Sequence, residues 1–209
     1  MASAKLKKHL ARDCYGDFLL TNAIRPSISV PVVPEEGYRI DFYRDEKAGL
    51  EVPVIVAAIS RENLFDLFID LLAPLGSSVD VVLESSHDSG NSASHRDLVR
   101  ERVDLPVLSS YFCNYEDLLL NDGCTGVAIV SSEEAAEVQF DEHKIIVIYA
   151  RDLEPFERLL LQHGIKRNDF LPLITEGEHI HNTAPEYQDQ FEELAMQLGV
   201  GEPIGGVRW

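Results

Sequence analysis

The chain has 209 residues, of which 45% are apolar, and this is enough to bury the core of one domain or of two small, closely packed ones. Its 36 acidic and 18 basic residues give a formal net charge of -18. A phosphate backbone would be repelled from most of such a surface, so we expect no nucleic-acid binding. The purely apolar runs, such as Val54 to Ile59, are much shorter than the roughly 20 residues that cross a bilayer, so we expect no membrane span.

The cysteines and the first residues of the sequence bear on location. Cys14, Cys113 and Cys124 are odd in number and form no paired spacing, so they predict reduced thiols and no disulfide framework. The basic start lacks the apolar stretch of a secretory signal. We therefore expect a cytoplasmic protein.

The first half of the chain predicts a helix, three extended segments, a helix, a strand and a final helix. Tyr38, Ile40 and Phe42 alternate with polar residues, which is typical of a half-buried strand. The predicted helices lie near Lys5 to Asp13, at Arg61 to Leu72 and from the capping pattern Ser94-His95-Arg96-Asp97 onward. The predicted strands lie at about Ser27 to Val33, Gly37 to Tyr43, Val52 to Ile59 and Val79 to Glu84.

The second half repeats this order from about Tyr111. Tyr115, Asp117, Leu119 and Leu120 recur at the spacing of Tyr15, Asp17, Leu19 and Leu20. A buried strand then follows at Ile145 to Ala150, a helix at about Arg151 to Gly164, a strand at Phe170 to Thr175 and an amphipathic helix at Pro185 to Leu198.

These patterns predict an α+β (α/β) fold that is a tandem duplication of an α-β-β-β-α-β-α unit, with mixed, mainly antiparallel sheets and helices. The first repeat covers residues 1–108 and the second covers 109–209, with a C-terminal tail from about 199. The fourth strand of each unit is expected to run parallel to the strand before the preceding helix. Two such units should pack about a pseudo-two-fold axis with a groove between them. The alternative is a single irregular α+β domain.

A Glu-x-x-His pattern follows the fourth strand of each predicted repeat. It comprises Glu84 and His87 in the first, and Glu176 and His179 in the second, where His181 adds another imidazole. On extended backbone His179 and His181 face the same side. Together with Glu176 they are candidate ligands for a divalent metal, Zn²⁺ or Mn²⁺, and Glu84 and His87 would approach from the equivalent loop. The alternative is that these histidines bond backbone carbonyls or face solvent, since the pattern has low specificity.

The other histidines and the familiar catalytic motifs point to no function. His143 is predicted in the turn of a hairpin, a position that requires no functional role. No nucleophile elbow or phosphate-binding loop is present. The leading hypothesis is therefore a non-catalytic binding or regulatory protein, whose partner is a basic protein or a small ligand, because residues 106–209 carry 19 acidic and 6 basic groups. The second hypothesis is a metal-dependent enzyme, most simply a hydrolase.

Overall fold

A computed structural model of the protein describes residues 4–29, 32–45, 47, 49–87 and 95–202. The helices are α1 (Ala4–Leu10), α2 (Arg61–Leu71), α3 (Leu105–Asn114), α4 (Glu116–Asn121), α5 (Glu154–Gln162) and α6 (Pro185–Leu198). The strands are β1 (Cys14–Tyr15), β2 (Phe18–Leu19), β3 (Ile24–Pro26), β4 (Gly37–Asp45), β5 (Leu50–Ala58), β6 (Ser78–Ser85), β7 (Arg96–Asp104), β8 (Thr125–Ser131), β9 (Ala136–Phe140), β10 (Ile145–Ala150) and β11 (His179–His181). No helix in these ranges is long and apolar enough to cross a membrane.

A seven-stranded sheet organises the molecule. Its strand order is β4-β5-β10-β9-β8-β6-β7, and every neighbouring pair in it is antiparallel. The two predicted repeats both contribute strands to this one sheet, because β5 pairs with β10 and β6 pairs with β8. The protein therefore has a mixed α+β fold with a mainly antiparallel sheet.

One face of the sheet carries the main core. Val79, Val81 and Leu83 of β6 point to this face and are fully or almost fully buried, as the two-residue period of a strand requires. Phe68 of α2 packs there against Phe112 and Phe140, with ring centroids 5.7 and 4.9 Å apart. The helices therefore cover this face of the sheet.

The opposite face is only partly covered. A smaller core, which includes Tyr15, Phe18 and Leu173, packs against the end of β5. Further along this face, Glu84 of β6 stands opposite Gly126 of β8 and Asp97 of β7. Residues directly opposite in an antiparallel pair share a face, so polar groups gather beside the smaller core.

Several predicted elements are wrong in type. From Arg96 the chain forms strand β7, whereas the sequence predicted a helix there; Ser94 lies outside the described residues. The segment from Phe170 to Thr175 forms no strand and leads into a 3-10 helix, Ile174–Glu176. The early strand is β3, before the predicted range. The capping pattern predicted a helix because the charged residues that follow it, such as Arg100 and Glu101, also suit an exposed helix. Strand β7 is an edge strand, where charged residues are tolerated and deter association.

The tandem duplication is not confirmed. Strand β6 runs in the same direction as β5, as expected, but three strands separate the two in the sheet. After α5, the described residues add no further strand to this sheet, whereas after α2 the chain adds β6 and β7. The two hairpins, β4-β5 and β9-β10, are each followed by a helix, and this shared order produced the apparent repeat.

Candidate metal centre

Three histidines converge beside the turn between β9 and β10, at one end of the central strands of the large sheet: His143 from that turn, and His179 and His181 from β11. One ring nitrogen from each of His143, His179 and His181 lies within 4.8 Å of one from each of the others. Their ring centroids are 4.8 to 5.1 Å apart, and each residue is partly buried. Two nitrogens that share a tetrahedral zinc ion lie about 3.4 Å apart. The cluster therefore needs to contract by no more than about 1.4 Å to bind one ion.

The turn between β9 and β10 positions His143. Asp141 Oδ1 accepts hydrogen bonds from the backbone N–H groups of His143 and Ile145, at 2.9 and 3.2 Å. Lys144 completes the turn with a positive φ of 60°, and its buried ammonium donates to Thr125 O at 2.8 Å. Asp141 and Lys144 thus fix this turn on both sides of the histidine.

Strand β11 positions the other two rings. His179 pairs with Pro26 of β3, and His181 pairs with Ile24. Because side chains alternate along extended backbone, residues two apart project to the same side. This short antiparallel ladder therefore presents both imidazoles to His143.

In the described residues, hydrogen bonds engage Nδ1 of each ring and leave Nε2 to bind a metal. Nδ1 of His179 lies 2.8 Å from Gly177 O, and Nδ1 of His181 lies 2.6 Å from Gly123 O. A carbonyl oxygen can only accept, so in both rings Nδ1 carries the proton and Nε2 carries the lone pair. Nδ1 of His143 likewise lies 2.9 Å from Asp141 Oδ2. This is the outer-shell arrangement that orients histidine ligands in metal sites.

The protonation of these rings reflects their surroundings. Burial lowers the pKa of His181, and His143 and His179 lower it further, against the raising effects of Gly123 O and Glu142. For His143, burial also acts to lower the pKa, but the bond to Asp141 and the charges of Asp141 and Glu142 outweigh it, so the pKa is raised. His181 is therefore held as the neutral imidazole that a metal requires.

Gly123 supports His181 in a place where no side chain fits. A Cβ at this position would lie 2.8 Å from Asn182 O and closer still to Ala23 O. The Gly123 N–H donates to Asn182 O at 2.8 Å, and the Asn182 N–H donates to Ala23 O at 2.7 Å. This backbone junction holds the acceptor of His181 in place.

Replacement of Gly123 by alanine should therefore displace the carbonyl that accepts the hydrogen bond from His181. We expect Gly123→Ala to lower zinc affinity about tenfold, because outer-shell partners of histidine ligands have effects of this size, and to cost about 1–3 kcal/mol of stability by overpacking. Zinc titration and urea denaturation measure the two effects. Gly201→Ala is the control, since a Cβ at Gly201 meets nothing within 4 Å. Unchanged zinc affinity in Gly123→Ala would show that this junction does not support the site.

A second cluster of polar side chains, formed by His87, Asp122 and Cys124, lies beside the three histidines. His87 Nε2 lies 2.8 Å from Asp122 Oδ2, and the same oxygen accepts from Thr125 Oγ1 at 2.5 Å. Asp122 Oδ1 accepts from the Cys124 N–H at 3.3 Å, and Asp122 is fully buried. Burial acts to raise the pKa of Asp122, but hydrogen bonds from His87, Thr125 and Thr183 outweigh it, so the pKa is lowered. Its acceptor positions are occupied, which indicates a structural network.

Cys124 is not an activated thiol in this network. Burial raises its pKa, and the charges of Asp122 and Glu142 add to the rise. A nucleophilic cysteine requires a lowered pKa and a stable thiolate. The group formed by His87, Asp122 and Cys124 therefore resembles a catalytic triad only in its residue types.

The residues predicted as metal ligands have different outcomes. The structure brings His179 and His181 together. Glu176 is turned away, because its Oε1 accepts from Arg39 Nη1 at 2.6 Å and its Oε2 accepts from the Leu173 N–H at 3.2 Å. His87 belongs to the Asp122 network, and Glu84 lines a cavity next to His143.

Each of the two Glu-x-x-His loops contacts the same turn, Asp122 to Thr125. The first loop reaches the turn before β8 through the Ser86 N–H, which donates to Cys124 O at 2.9 Å. The second loop reaches the same turn through His181 and Gly123 O. Both loops therefore pack against Asp122 to Thr125, without the symmetry that motivated the prediction.

Sequence reasoning missed His143 as the third member. It lies in a hairpin turn far from the other two in sequence, and no ligand spacing connects them. The only local signal is Asp141, two residues earlier, which is suited to accept a bond from the ring. Only the tertiary fold brings this turn beside β11, which itself pairs with β3.

The comparisons with known proteins supply no identity. No family model matches the chain, and no curated protein or solved structure matches it either. The arguments for function therefore come from the geometry of the site.

Proposed function

We propose that this protein binds one transition-metal ion, and that Zn²⁺ is the ion that its ligands fit best. His143, His179 and His181 would bind it through Nε2. The observation that carries the proposal is that three imidazoles converge while Nδ1 of each is engaged by a carbonyl or a carboxylate. Three histidines with a fourth position for water form a known type of zinc site.

The ligand set favours zinc over manganese. Imidazole suits Zn²⁺, Cu²⁺ and Ni²⁺, whereas Mn²⁺ prefers carboxylate oxygens. The carboxylate that the sequence offered, Glu176, is bound to Arg39. A zinc ion at this cluster would fit either hypothesis that the sequence raised, a binding protein or a metal-dependent enzyme.

The test is a zinc titration of untagged protein after removal of metal by a chelator. We expect one zinc per chain, and we expect His143→Ala to lower the affinity at least about 100-fold, because loss of a ligand exceeds the 10–100-fold effect of an outer-shell partner. Affinity should also fall as the pH is lowered, because the proton competes with zinc for each ring.

His163→Ala is the matched control. Its ring nitrogen Nε2 lies 2.8 Å from Asp70 Oδ2 on the surface, away from the cluster. This variant should bind zinc as the unmodified protein does. The proposal is wrong if the unmodified protein binds no zinc, or if His143→Ala binds it with unchanged affinity.

A further inference from the structure

A cavity of about 220 Å³ opens beside the candidate zinc ligand His143. Its wall also includes Glu84 and Gln139 from the partly covered face of the sheet, and Glu142 from the turn that carries the histidine. It is large enough for several water molecules or a small organic compound. The candidate ligand His143 therefore borders an open space.

Glu84 reaches into this region because residue 126 is a glycine. A Cβ at Gly126 would lie 3.0 Å from Glu84 Oε2 and 3.4 Å from the backbone nitrogen of Glu142. The carboxyl of Glu84 and the turn that carries His143 therefore border the same small gap. No side chain in the described part of the chain donates a hydrogen bond to this carboxyl, so it is available to a water molecule or to a substrate.

The charges that line the cavity determine which class of substrate can bind there. Its described lining contains carboxyl groups and no lysine or arginine. The ammonium of Lys144, which follows His143 in the turn, is buried and donates to Thr125 O. When ionised, Glu84, Asp141 and Glu142 together carry one more charge than a divalent ion at His143, so an anionic substrate such as a phosphate ester would still meet a net negative lining and would be repelled. A neutral acyl compound would meet no such penalty.

We propose that this cavity is the substrate site of a zinc-dependent hydrolase for small, uncharged esters or amides, and that Glu84 accepts the proton of the attacking water. This inference rests on the proposed zinc site. It adds to that site a reaction, a substrate class and a catalytic residue.

The reaction balances with water as the only co-reactant. A bound zinc ion would lower the pKa of a water molecule at the site, and Glu84 would take one proton from this water as its oxygen attacks the acyl carbon. The bond from the acyl carbon to the leaving oxygen or nitrogen then breaks. Glu84 returns the proton to the leaving group, so that the products are a carboxylic acid and an alcohol or amine.

The protonation of Glu84 supports this role. Burial, followed by the charges of Asp97, Asp141, Glu137 and Glu142, raises its pKa to about 7. A general base or acid works best when its pKa lies near the working pH. In the metal-free protein the carboxyl is therefore close to half-protonated at neutral pH, and a divalent ion nearby would shift it towards the carboxylate that accepts a proton.

The experiment measures hydrolysis of p-nitrophenyl acetate by zinc-loaded protein, with the zinc content determined for every variant. We expect turnover by the unmodified protein, and none above background by His143→Ala. Glu84→Gln should keep one zinc per chain while its kcat/KM falls about 100-fold, as loss of a general base typically causes. Its pH profile should also change, which a purely structural role would not bring about. p-Nitrophenyl phosphate should not be hydrolysed.

Glu51→Gln is the matched control, since it removes an exposed carboxylate that pairs with Arg44 at 3.0 Å on the β4-β5 hairpin. It should leave kcat/KM unchanged. Glu84→Gln with full zinc content and unchanged kcat/KM would overturn the inference and leave zinc binding intact. So would zinc-loaded protein that hydrolyses neither ester. A protein that binds no zinc overturns both proposals.

Discussion

Asp122→Ala should lower the free energy of unfolding by about 3–5 kcal/mol, because removal of one partner from a buried charged network leaves the others unpaired. Asp122 is fully buried and accepts hydrogen bonds from His87, Thr125 and the Cys124 N–H. With alanine, the hydroxyl and the backbone N–H lose an acceptor in a place that water does not reach, and each unsatisfied group adds a penalty. Urea denaturation measures the loss.

Two further variants define the origin of this effect. Asp122→Asn keeps an acceptor oxygen but not the charge, so we expect a smaller loss of about 1–3 kcal/mol. Asp169→Ala breaks an exposed pair with Arg167, whose nitrogen lies 2.7 Å from the carboxylate, and should change stability by less than about 1 kcal/mol. A loss in Asp122→Ala no larger than that of Asp169→Ala would show that the network does not stabilise the fold.

The pH dependence of the same network has a definite sign. The pKa of Asp122 in the folded protein lies below its ordinary value of 3.8. An acid with a lowered folded pKa contributes stability above its unfolded pKa, and this contribution is lost as the pH falls through the folded value. The difference in stability between the unmodified protein and Asp122→Asn should therefore shrink on acidification below about pH 4.

The sequence predicts the strongly patterned elements well and their connections poorly. Helices α2 and α6, and strands β5, β6 and β10, all lie near their predicted positions, because each has a clear apolar period or a buried apolar run. Strand β7 was taken for a helix, because its charged residues suit an exposed helix as well as an edge strand. Pairing between distant strands leaves no local signature, so the strand order of the seven-stranded antiparallel sheet could not be derived.

The same limit applies to the candidate site. His179 and His181 could be predicted as a pair, because their spacing on extended backbone has a direct geometric consequence. His143 joins them only through the sheet, and Glu176 leaves the set only because Arg39 from β4 reaches it. Both facts depend on contacts between residues that are far apart in sequence. Local spacing can therefore suggest part of a ligand set but cannot complete it.

Glu84→Gln should stabilise the metal-free protein at pH 8 by about 2 kcal/mol. The pKa of Glu84 is raised from 4.5 to about 7, first by burial and then by neighbouring carboxylates. A raised pKa means that the folded state disfavours the charged form, so the penalty is absent below about pH 4.5, grows up to about pH 7 and is complete above it. One pKa unit corresponds to about 1.4 kcal/mol, and partial solvent screening reduces the total. Glutamine keeps the shape and removes the charge.

The measurement is the difference in unfolding free energy between Glu84→Gln and the unmodified protein from pH 4 to pH 8. Glu51→Gln is the control, because it removes an exposed pair with Arg44 that is worth less than about 1 kcal/mol. The difference should be near zero at pH 4 and should rise towards pH 7.

Zinc at His143 would place a divalent charge beside the cavity and favour ionised Glu84, so the advantage of glutamine should shrink in zinc-loaded protein. A difference that does not vary with pH would contradict the burial of an ionisable carboxyl. A pH-dependent difference that zinc does not alter would place the ion too far from Glu84 for the two to act together.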